Sequence, residues 1–349
     1  MLALNLAVRI AAAVLNVPPD VLSFLPMIPP PPLSSPGEAA RRKASSEALA
    51  FAYRPKDGFD APEEDILLVD GSSPSGTMSA YEYDGFGPPD ARPGSEGTEG
   101  VVEEKEEDYP PRRRRRPSTY GEITELGARQ LFSYMGMTGR AADRPDRCLI
   151  DSDRDGDVVF FDLGSGAGRL VCQAYMELPR LTMSSGVEMA PSRHCAAERA
   201  WGELRGGDGR DGGDGAAAAT ATKTAKDVRT MGGVAADGAS VKLTEGDLFD
   251  INVSRATHVY TASLCFTDDM MKRLRIKLEG ECPRLRCVAT LRAFPPQEKD
   301  DKEKERGEGA KGERQLGLAR MEYVEMSWTK PRGEGCTVYF YDVPHGGRR

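Results

Sequence analysis

The run Val158-Val-Phe-Phe-Asp-Leu-Gly-Ser-Gly-Ala-Gly168 constrains this chain more than any other stretch. Apolar residues lead into three glycines at alternate positions, Gly164, Gly166 and Gly168, and Arg169 to Glu177 has helical spacing. A strand, a tight turn and a helix follow one another, and glycine permits both the turn and a close approach of ligand to backbone. In α/β folds a nucleotide-like ligand sits at the carboxyl end of such a strand. Asp162, just ahead of the first glycine, narrows the ligand further. The spacing is G-x-G-x-G rather than the G-x-G-x-x-G of dinucleotide sites, and a carboxylate there would repel a pyrophosphate. A cation fits better. S-adenosylmethionine, with its ammonium and sulfonium groups, is the expected cofactor; an ordinary core turn is the alternative.

The pattern continues downstream. Leu181 to Glu188 reads as a second strand, and its terminal Glu188 falls where an acid takes ribose hydroxyls in this class of fold. That role does not separate an adenosyl ligand from a nicotinamide one. A helix over Ser192 to Leu204 precedes a third strand from Val241, which closes in Gly246-Asp247-Leu248. Asp247 can accept the exocyclic amine of adenine while Leu248 covers the ring. A fourth strand (Thr257 to Thr261), a helix (Asp268 to Leu278), a fifth strand (Leu285 to Leu291) and two last strands (Arg320 to Trp328 and Cys336 to Val343) follow. Pro-Arg-Gly-Glu-Gly joins the last two as a hairpin turn. Upstream, Tyr120 to Thr124 leads into a helix over Leu126 to Met135. The predicted fold class is α/β and Rossmann-like, with a mostly parallel seven-stranded sheet ending in an antiparallel hairpin.

Much of the length lies outside that pattern. With 38 glycines, 25 prolines and 39% hydrophobic residues among 349, long linkers are required. Residues 1–117 are read as a largely disordered amino-terminal region, 118–343 as the domain with disordered insertions at about 206–240 and 297–314, and 344–349 as a tail. Met1 to Val17 is too short and broken to span a bilayer; an organelle-targeting helix and a small docking helix are both open. A net charge of −8 argues against a surface that coats nucleic acid. The acidic run Glu99 to Asp108 precedes five arginines, Arg112 to Arg116. These are a nuclear import signal, an arm for DNA phosphates or an acidic protein patch, or a self-neutralising linker. Seven scattered cysteines without a C-x-x-C pair, and three histidines, leave no expected metal site and fit a reducing compartment.

The set Tyr120-Gly-Glu122, Phe161-Asp-Leu-Gly-Ser-Gly-Ala-Gly168 with Gln173, Gly186-Val-Glu188, Gly246-Asp247 and Ser327-Trp-Thr329 resembles one family. It is the non-SET histone lysine methyltransferases of the disruptor-of-telomeric-silencing class, within the class I S-adenosylmethionine-dependent methyltransferases. The resemblance runs from about Ser118 to Val343 outside the two insertions. It implies that Tyr120, Glu122 and Thr124 lie on a loop closing over the methionine moiety. Asp162 and Gly164 would hold the amino end, with Gly166 and Gly168 completing the turn, Glu188 on the ribose and Asp247 with Leu248 on adenine. Phe266, Trp328 and Tyr339 would line a narrow apolar channel for the target side chain.

The implied activity is protein-lysine N-methylation, foremost of nucleosomal histone H3, in the nucleus. The alternatives are a non-histone target, a cofactor-binding chromatin module with little activity, and a cytoplasmic or organellar location. Partners would be histone or nucleosome, with DNA contact through Arg112 to Arg116, and no membrane. Methyl transfer from a sulfonium is an in-line displacement that needs alignment, water exclusion and a neutral amine, which an apolar channel favours without a dedicated base. Two departures stand out. Ala262-Ser263-Leu264 replaces an Asn-Asn-Phe run, with Ser263 as a partial substitute for the lost amides near the reacting methyl. Arg169 stands where a glutamine is expected.

Overall fold

Six consecutive residues buried on both faces make Val158–Leu163 (β1) an interior strand, as a parallel sheet covered on both sides requires. The computed structural model describes residues 35–54, 62, 65, 121–138, 157–206, 223–231, 238–296, 315–329 and 335–343. Its strands after β1 are Leu181–Glu188 (β2), Ser240–Glu245 (β3), His258–Thr261 (β4), Cys287–Thr290 (β5), Gly317–Val324 (β6) and Cys336–Asp342 (β7). They form one seven-stranded sheet in the order β3-β2-β1-β4-β5-β7-β6. The first five run parallel, and β7 lies antiparallel to both β5 and β6. This is the doubly wound α/β architecture expected. The strand order reverses between β1 and β4, so a crevice opens at their carboxyl ends.

Side chains alternate across the sheet. Val158 and Phe160 face one core with Tyr260, Val338 and Phe340; Val159, Phe161 and Leu163 face the other with Val259, Tyr341 and Val343. The first core is covered by Pro36–Ala52 (α1), Glu125–Tyr134 (α2), Arg169–Glu177 (α3), Pro191–Leu204 (α4) and Ala225–Thr230 (α5). The second is covered by Asp268–Glu281 (α6), through Met271, Leu274 and Leu278. Among the described residues no helix is long and apolar enough to cross a membrane.

Two helices lie in stretches whose composition reads as disorder. Helix α1 falls inside residues 1–117, read as largely disordered, yet it is capped by Ser35, whose hydroxyl accepts from Glu38 N, and Pro36 opens it. Ala44, Ala48, Leu49 and Ala52 form its buried stripe. The stripe is mostly alanine, so its periodicity barely registers as hydrophobic. Arg129 Nη2 ties this helix to the domain by donating to Arg42 O and to Ser46 Oγ, at 3.1 and 3.0 Å. Helix α5 lies inside the first insertion, closed by a capping box between Thr224 and Asp227. Its Arg229 donates to the carbonyls of Tyr175, Leu178, Pro179 and Leu181. Those carbonyls run from the last turn of α3 to the first residue of β2, and a cation suits the helix end. The second insertion, the five arginines, the amino-terminal segment before residue 35 and most of the last hairpin turn lie outside the described residues.

Candidate functional site

The turn after β1 owes its form to three left-handed residues, Gly164, Gly166 and Gly168, at φ 86°, 55° and 76°. A Cβ on Gly168 would also run into Ala197 of α4. The N–H groups of Gly164 and Ser165 both donate to Val187 O, at 2.9 and 2.8 Å. That of Gly166 donates to Glu188 Oε2 at 2.8 Å. A dinucleotide turn presents such N–H groups to phosphate; here they are taken within the fold.

A cavity opens at this turn. Its wall includes Gly121, Glu122 and Ile123 from the loop before α2, Asp162, Gly164, Gly166, Arg169, Glu188, Met189, Arg193, Asp247, Leu248, Phe249, Tyr260, Ala262, Phe266 and Met270. Asp162 is 3% exposed, and its Oδ1 has no hydrogen-bond partner among the described residues. Burial pushes its carboxyl up to about 8, with the Glu188 carboxylate adding to the rise. Tyr260, its register partner on β4, is raised by burial first and by Asp162 second. Glu188 is also buried, and its second oxygen accepts from Ala190 N at 2.9 Å. Asp247 Oδ1 accepts from Phe249 N at 2.9 Å, which fixes the turn that carries Leu248. Glu122, Asp162, Glu188 and Asp247 line this space with Arg169 and Arg193, so its acids outnumber its arginines.

The segments that carried the resemblance meet here from opposite ends of the domain. Glu122 N donates to Ser327 Oγ at 3.1 Å, and Ser327 N donates to Glu122 O at 2.8 Å. Ile123 bridges to Met326. Trp328 lies so close over Gly121 that a Cβ there would enter its ring.

Glu122, Asp162, Gly164, Gly166, Glu188, Asp247, Leu248 and Phe266 are thus gathered around one cavity. Gly168 stands behind it as a hinge of the turn, and Tyr120 lies outside the described residues. Two other expectations need correction. Thr124 is absent from the wall: its hydroxyl caps α2 by accepting from Gly127 N and donates to Glu325 Oε1 at 2.7 Å. Ser263 is fully buried, and its Oγ accepts from Arg292 N at 3.2 Å. Trp328 is 37% exposed and packs on Gly121 of the cavity wall. Tyr339 packs against the α6-side core, as Leu248, Phe249 and Phe266 of the wall do, because strand alternation puts it there. The sequence reading missed Tyr260, Phe249 and Met270 as wall residues. Only Tyr260 had a findable signal, its place on the strand flanking Asp162.

No family model matches this chain, and no curated protein does. Among solved structures, it is similar to an RNA methyltransferase from Salinibacter ruber in complex with S-adenosyl-L-homocysteine, at 21% identity over 58% of this chain and 96% of that one, TM-score 0.30. The rRNA methyltransferase aviRa from Streptomyces viridochromogenes gives 13% over 64% and 86%, TM-score 0.37. Magnesium protoporphyrin IX methyltransferase from Synechocystis, with S-adenosyl-L-homocysteine bound, gives 9% over 64% and 89%, TM-score 0.30. At these scores the likenesses add nothing to the strand order already described.

Proposed function

We propose that this chain is an S-adenosylmethionine-dependent methyltransferase whose acceptor is a protein lysine, with nucleosomal histone H3 the foremost candidate and the nucleus the place of action. One observation carries the cofactor: a buried carboxyl, Asp162, reaches a cavity at the switch point with Oδ1 unpaired among the described residues, while the neighbouring turn N–H groups are already used. That arrangement suits an ammonium and excludes a phosphate. The meeting of Glu122 with Ser327 supports the resemblance on which the lysine acceptor rests.

In this reading Asp162 pairs with the ammonium. Glu188 holds the glycine turn and has lone pairs left for ribose hydroxyls. Asp247 meets the adenine amine and Leu248 its face. When bound, S-adenosylmethionine supplies a sulfonium methyl open to in-line displacement. Phe249, Phe266 and Met270 exclude water on the open side of the wall and favour the neutral form of an entering amine by desolvation.

A second reading, a cofactor-binding module with little activity, is favoured by Ala262 in the wall and by Ser263 being committed to Arg292. Calorimetry with S-adenosylmethionine and with NAD, then radiolabelled methyl transfer to nucleosomes, free histones and cell extract, tests both. Binding of the sulfonium alone, with label on histone, is expected. NAD binding would overturn the cofactor, label on other proteins only would overturn the histone, and binding without label would establish the module.

A further inference from the structure

Arg169 breaks the resemblance at the glycine turn, and it stands in the cavity wall. Its Nη2 donates to Glu125 Oε1 at 3.0 Å. Its Nη1 lies 3.9 Å from Glu122 Oε2, an ion-pair separation too long for a hydrogen bond. The guanidinium sits 5.8 Å from the centroid of the Tyr53 ring. Among the described residues, Nε and Nη1 make no hydrogen bond, so this group is fixed on three sides and retains donors.

Of the parts that fix it, Tyr53 is the C-cap of α1, and Glu125 of α2 is itself held by α1. Tyr53 donates from Oη to Cys172 Sγ, one turn along α3, at 3.3 Å. Ser46 donates to Glu125 Oε2, and Arg129, paired with Glu177 at 2.8 Å, donates to Ser46. Glu125 is therefore held between Ser46 and Arg169. The other cation in the wall, Arg193, comes after Glu188 at the start of α4, on the proposed ribose side.

An α-amino-acid end carries an ammonium and a carboxylate on one carbon. Asp162 meets the first charge and the planar fork of Arg169 fits the second. We propose that Arg169 binds the ligand's carboxylate and that Ser46 and Tyr53 act as positioning residues for it. The site then selects a nucleoside bearing an intact amino-acid end. This rests on the sulfonium-nucleoside reading above.

The test measures affinities of the full chain for S-adenosylhomocysteine, for its decarboxylated analogue, and for 5′-methylthioadenosine. The unaltered chain should prefer the first over the second. Arg169→Met should erase that preference by weakening S-adenosylhomocysteine about 10- to 100-fold, the range of a charged hydrogen bond, and should leave methylthioadenosine within about 2-fold. Tyr53→Leu should reduce the preference in part. A loss spread equally over the three ligands, as from general destabilisation, would overturn the proposal, and so would an unchanged preference. If the unaltered chain binds none of the three, the cofactor reading itself falls.

Discussion

Replacing Asp162 with asparagine keeps the side chain's shape and removes its ionisation. In the folded chain burial raises this carboxyl from 3.8 to about 8. Between those values the folded state holds a proton that the unfolded state has released. Protons bound in the folded state exceed those in the unfolded state, so stability falls as pH rises through the window. Each unit is worth about 1.4 kcal/mol, so from pH 4 to pH 7 the ligand-free protein loses at most about 4 kcal/mol through this group. Asp162→Asn lacks that slope. The two proteins should have similar urea midpoints near pH 4, and the variant should be more stable by up to about 4 kcal/mol at pH 7. Affinity should move the other way. The variant should bind S-adenosylhomocysteine more weakly, and the unaltered protein should bind it more tightly as pH rises toward 8. Parallel stability profiles from pH 4 to 8, or equal affinities, would refute the placement of an unpaired acid in the cavity.

Other perturbations follow from the same contacts. Glu188→Gln removes one of the two oxygens that accept from Gly166 N and Ala190 N; urea unfolding should show a loss of about 1–3 kcal/mol, together with weaker nucleoside binding. Gly121→Val drives a side chain into Trp328; a loss of about 1–3 kcal/mol is expected, with a change in tryptophan fluorescence. Arg229→Met strips four carbonyls of their donor; thermal unfolding should reveal a loss of about 2–4 kcal/mol, and cofactor affinity should stay unchanged where the variant is folded.

Much of the fold was legible because buried parallel strands write themselves as unbroken apolar runs. β2 and α3 begin and end at the residues read from the pattern, and α6 begins where expected. The site was legible where chemistry and strand ends coincide, as at Asp162, Glu188 and Asp247. It was not legible where a residue's surroundings decide its use. Nothing in the sequence says that the Thr124 hydroxyl donates to Glu325 or that Ser263 accepts from Arg292 N, because those partners are distant in sequence. Strand alternation is legible too: alternate residues of β7 face opposite cores, with Phe340 on the side of Asp162 and Tyr339 on that of Phe266. Helices α1 and α5 escaped notice because alanine, lysine and serine stripes look like linker until a buried arginine or a cap gives them an anchor.

The exchange of hydrogen bonds between Glu122 and Ser327 joins residues 205 positions apart. During synthesis, the amino-terminal half of that clasp emerges long before its mate exists. The central strand and its glycine bend can assemble early, but the rim at Gly121 to Ile123 must wait for the final hairpin to leave the ribosome. A nascent chain stalled before residue 327 would therefore carry the floor of the chamber without its latch. Late closure is written into the order of the chain, and non-local pairing of this kind slows folding.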